Sequence, residues 1–146
     1  MAAADPNVEL SMRRTGMSFQ RTRLSADRTL MSVIRTSLSL ISFGFTIFQV
    51  FRQLKESAVF SGGDHAARNF GTTLVALGIV MLAIGIVYHC QFMLALRRTR
   101  TEMTAQGLIH GESPYPASFT LVTALILLTI GIIAIISMAF QIGPFG

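Results

Sequence analysis

The chain has 146 residues, of which 51% are apolar types and only 13% charged, and its mean hydropathy is +0.58. A soluble domain of this length needs more charge to cover its surface, so the composition counts against one and points to a single membrane domain. The formal charge of +5 comes almost entirely from arginines that cluster beside apolar spans. There, attraction to anionic membrane lipids and orientation in the bilayer are the expected uses. No basic strip with interleaved aromatics appears, so nucleic acid is not an expected partner.

Residues 1–23 are polar and mixed, with Arg13, Arg14, Arg21 and Arg23 after a short acidic start. They lack the apolar core of a secretory signal and read as a retained basic cytoplasmic tail. Met12, Met17, Phe19 and Leu24 among the arginines suit a segment lying on a lipid surface, and a disordered tail is the plainer alternative. Residues 24–146 form the membrane domain, with its first helix expected to begin near Ser25 and Asp27, both suited to a helix start.

The first span covers about residues 30–51 and carries an arginine, Arg35, inside it. Arg28, Ser32, Arg35, Ser39, Ser42, Thr46, Gln49 and Gln53 recur in alternating steps of four and three. That period places the eight side chains on one helix face, within an arc of about 100°. Arg35 alone reads as a snorkelling anchor, since it lies roughly 7–8 Å inside the first span, or as a partner for Asp27 or an acid of a neighbouring helix. A polar face continuing to Gln49 is not explained by snorkelling. Either it packs against polar groups of other helices, or it lines water in an oligomer.

Residues 52–69 hold the turn sequence Ser61-Gly62-Gly63-Asp64. The second span, residues 70–96, contains no Asp, Glu, Lys or Arg. Gly71, Gly78 and Gly85 repeat every seven residues, a small-residue face on which another helix can pack closely. The lone cysteine, Cys90, and His89 lie near its end, and His89 is a candidate partner for Asp27. The helix is expected to continue into water as far as Ala105, before Gly107 and Gly111. Ser113-Pro114-Tyr115-Pro116 then marks the entry to a third span over residues 117–142.

Eight Lys and Arg residues flank the N-terminal side and the second loop, against three on the opposite side. This bias sets the N-terminus in the cytoplasm and the C-terminus outside. The spans hold no nucleophile-base-acid set, carboxylate pair, metal-ligand spacing or glycine-rich phosphate loop, so neither an enzyme nor a cofactor is expected.

The run Asp27-Arg28-Thr29 to Arg35-Thr36, followed by Phe43-Gly44, resembles the signature of the YidH-like small membrane proteins, domain-of-unknown-function family 202. Asp27 stands at its acidic position, usually Glu, and Val33 stands where the family commonly has Trp. The resemblance spans about residues 15–142, with only the first-span motif specific, and implies a bacterial inner-membrane location. The family is similar to the membrane domain of the vacuolar transporter chaperone complex. That likeness implies a homo-oligomer with Arg28 and Arg35 turned toward a central path. It does not imply polyphosphate synthesis, because the soluble domains responsible have no counterpart here.

The expectation is an all-α, three-span integral membrane protein, forming an oligomeric channel-like assembly for anions or polyanions. The alternative is an accessory subunit that docks another membrane protein through the same face.

Overall fold

A computed structural model describes residues 6–56, 64–105 and 118–140, and all but one of these are helical. The three helices are α1 (Pro6–Glu56), α2 (Asp64–Ala105) and α3 (Phe119–Phe140). Each contains a stretch long and apolar enough to cross a membrane. This is an all-α integral membrane protein. The Ser113–Pro116 entry sequence and most of the Ser61–Asp64 turn lie outside the described residues.

The helix start expected at Ser25 is displaced to Pro6. Pro6 suits a first helical position, and Glu9 places negative charge against the helix dipole in the first turn. Glu9 also pairs with Arg13 one turn on, and Ser11, Thr15, Ser18 and Thr22 hydrogen-bond back to carbonyls of their own helix. With Gly16 the only glycine before Gly44, nothing in the sequence breaks the helix. The basic segment is therefore an extension of the first span. α2 is helical through to Ala105, as far as the sequence expects the helix to run, and Gly107 and Gly111 lie outside the described residues.

α1 and α2 form a long antiparallel hairpin, and α3 lies against it parallel to α1. Leu30 and Ile34 of α1 pack with Leu82 and Ile86 of α2 and Ala124 of α3. Further along, Ile41 and Phe48 meet Val75 and Met138. The buried positions of α1 thus run Leu30, Ile34, Ser37, Ile41, Gly44, Phe48, again in steps of four and three. Those of α2 are Gly71, Val75, Gly78, Leu82, Ile86 and His89.

Glycines set how close the hairpin can be. A Cβ on Gly44 would sit 2.6 Å from the Gly71 carbonyl oxygen, and one on Gly71 would sit 2.7 Å from that of Gly44. At Gly78 it would meet Ile41 at 2.8 Å, and at Gly85 it would meet Val33 at 2.7 Å. Backbone-to-backbone approach of this kind gains dispersion energy where lipid leaves no hydrophobic drive between helices.

With 22 residues, α3 is about 33 Å long, close to a hydrocarbon core of about 30 Å. α1 and α2 run well beyond its first residue. Residues 6–23 and 93–105 therefore make a two-helix stalk at that end. Met12, Thr15, Phe19 and Arg23 are half-buried along it, as are Met93, Leu96, Arg100 and Met103, again at helical-face spacing. Outward-facing residues of the membrane region, such as Leu77, Val80, Ile84, Ile126, Ile130 and Ile133, are apolar and suit lipid contact.

Candidate functional site

The polar stripe of α1 lies on the side away from the hairpin. Counting about 100° per residue, its mean direction is about 150° from that of the buried seam. Arg28, Ser32, Arg35, Ser39, Ser42, Thr46 and Gln53 are exposed, and Gln49 is half-buried. The fold of one protomer therefore leaves this face at its outer surface. Two of its hydroxyls bond back to their own helix, Ser39 Oγ to the Arg35 carbonyl at 2.9 Å and Thr46 Oγ1 to the Ser42 carbonyl at 2.8 Å. Such bonds satisfy the hydroxyl donors while leaving acceptor lone pairs turned outward.

A second polar group closes the three-helix unit at the start of α3. Ser118 precedes the first residue of that helix, and the Leu121 and Val122 amides donate to its carbonyl. Its hydroxyl donates to Asp27 Oδ1 of α1 at 2.8 Å, across 91 positions of sequence. His89 of α2 brings Nε2 to 3.5 Å from the same Asp27 oxygen, too long for a well-formed hydrogen bond. Three helices thus converge on one carboxylate.

His89 is only 4% exposed, and neither of its ring nitrogens has a hydrogen-bond partner among the described residues. Leaving a buried polar group unpaired costs about 1–3 kcal/mol. Ser37 and Ser137 are also buried with unpaired hydroxyls among the described residues.

The sequence offers Asp27 as one possible partner for His89 but does not single out Ser118. The signal was present, since serine immediately before an apolar run is a favoured helix-start residue. Asp27 itself sits inside α1, where its carboxylate bonds across to α3 rather than capping a helix. Phe43 and Gly44 divide their roles: Phe43 is exposed, and Gly44 makes the closest backbone approach to α2.

Neither a curated protein nor a solved structure matches the chain. The family model for the domain of unknown function DUF202 matches residues 21–95. The matched region takes in the Asp27-to-Gly44 motif, the polar stripe and the glycine seam of α2, and stops before α3. By that match over half its length, this three-helix membrane protein belongs to the DUF202 family.

Proposed function

We propose that copies of this chain assemble in the membrane with the α1 stripes facing one another around a path for anions or polyanions. One observation carries the reading: a continuous polar face is left on the outer side of α1, along a segment that spans the bilayer. An arginine at the centre of a membrane helix costs about 2.5–3.5 kcal/mol on the insertion scale, less near an edge. Arg28 is level with the start of α3, and Arg35 lies two turns deeper, about 10 Å further in. Repeated around an assembly, they form a cationic mouth that favours anions. Ser39, Ser42, Thr46 and Gln49 supply the polar lining beyond it. The resemblance read from the sequence, to the membrane domain of the vacuolar transporter chaperone complex, implies the same arrangement.

In this proposal the stalk end faces the cytoplasm of a bacterial inner membrane. Residues 6–28 and 97–105 of the hairpin carry eight arginines against three acids at that end, which fits the positive-inside rule. The role proposed is passage or docking, with no catalytic step.

A second reading rests on the back-bonded hydroxyls of Ser39 and Thr46, which reduce the need for water along the stripe. In it, the same face docks a different membrane protein. The mass of the detergent-solubilised assembly, together with phosphate and chloride flux in liposomes, separates the two. An oligomer whose flux changes with Arg35→Ala supports the path. A monomer, or a flux identical in wild type and variant, removes it.

A further inference from the structure

A cavity of about 340 Å³ opens where α3 begins and the stalk leaves the three-helix unit. Arg23 of α1 and Arg97 of α2 line it, so two cationic side chains come to it from separate helices. His89 also lines it, nearly fully buried, with no hydrogen bond to either ring nitrogen among the described residues and the Asp27 carboxylate 3.5 Å from Nε2. Ser118 and the apolar Leu121 and Leu125 line it from the start of α3. Arg23 continues the buried seam of α1, so the cavity is separate from the outward-facing polar stripe.

We infer that this cavity binds the phosphate head group of an acidic phospholipid. The guanidinium groups of Arg23 and Arg97 match phosphate oxygens in charge and fork geometry, and a His89 ring N–H supplies a further donor. The cavity is level with the start of α3, where the hydrocarbon core gives way to head groups. The first methylenes of the acyl chains then run along Leu121 and Leu125 into the membrane. A volume of about 340 Å³ holds a head group and the start of the chains, while their remainder lies in the bilayer. Asp27 does not line the cavity, but Oδ1 of its carboxylate is 2.8 Å from Ser118 Oγ and 3.5 Å from His89 Nε2, two residues that do, and it already accepts the Ser118 hydrogen bond.

The test uses the full chain, purified in a neutral detergent and offered an equimolar mixture of phosphatidylglycerol and phosphatidylcholine. Retained lipid is counted by native mass spectrometry. The wild type should retain phosphatidylglycerol preferentially. Arg23→Gln with Arg97→Gln should reduce that preference by roughly ten-fold or more, given the strength of single basic side chains at a membrane surface. Arg13→Gln with Arg14→Gln removes the same charge from exposed stalk positions and should leave the preference intact. Val122→Trp, which fills the cavity without altering charge, should lower retention of the acidic lipid as the arginine pair does. Equal retention of both lipids by wild type would overturn the inference, as would equal losses from the two arginine pairs. Displacement of bound lipid by millimolar inorganic phosphate would assign the site to free phosphate and overturn the lipid assignment.

Discussion

Ser118, the residue just before α3, donates its hydroxyl to Asp27 of α1 at 2.8 Å and so ties the start of α3 to the hairpin. Ala124 and Met138 of α3 add apolar packing against both helices of the hairpin. Hydrogen bonds to charged groups contribute about 1.5–3 kcal/mol, so Asp27→Ala should weaken the docking of α3 by about that amount. Ser118→Ala should have a similar effect, and the double variant should cost little more than either single one. Denaturation in mixed micelles measures all three, and additive losses would show that the two residues act separately.

The approach of Gly44 to Gly71 gives a sharper prediction. An added Cβ meets backbone, which cannot move aside as a side chain can. Gly44→Ala and Gly71→Ala should each destabilise the hairpin by about 1–3 kcal/mol, the range for overpacking a tight core. Gly44→Leu should separate α1 from α2 altogether. Cysteine pairs placed across the seam read this out through loss of disulfide formation, and unchanged crosslinking would contradict the packing.

Gly16 behaves in the opposite sense. A Cβ added there meets nothing within 4 Å, and the residue lies in mid-helix. Gly16→Ala should therefore stabilise the stalk by about 0.8–1 kcal/mol, the difference in helix propensity. Hydrogen exchange of amides in residues 8–20 should slow accordingly. Exchange that is fast in both forms would mean that these residues are not helical in solution.

Arg35 tests the cationic mouth through selectivity. Arg35→Ala should reduce the preference for anions over cations in liposome flux several-fold, and Arg35→Glu should reverse it. Arg35→Lys, which keeps the charge, should retain most of the preference. A loss of flux equal in all three variants would mean that Arg35 serves assembly rather than selectivity.

Much of this fold was legible because period and composition act locally. The glycines at 71, 78 and 85 share a face by spacing alone, and they lie along α1 in the structure. The continuation of α2 past its apolar span as far as Ala105 was legible in the same way. The start of α1 was not legible in the same way. Ser25 and Asp27 are good helix-start residues, but that preference decides nothing when the preceding segment is itself helical. What holds residues 6–23 is the continuation of the seam through Met12, Phe19 and Arg23 beside α2, a tertiary contact that a tail rich in arginine conceals. The Asp27–Ser118 bond was hidden for a related reason, since a long-range pair has no signature in spacing. The polar stripe was readable as a face, while its direction, away from the hairpin, required the seam to be known.

The central claim is that this stripe faces water inside an assembly, and cysteine accessibility tests it most directly. In a Cys90→Ser background, single cysteines at Ser39, Ser42 and Thr46 are exposed to a charged, membrane-impermeant thiol reagent, with Leu77 and Ile130 as lipid-facing controls. The account predicts rapid modification at the three stripe positions and little at the controls. Stripe cysteines as silent as the controls would contradict it.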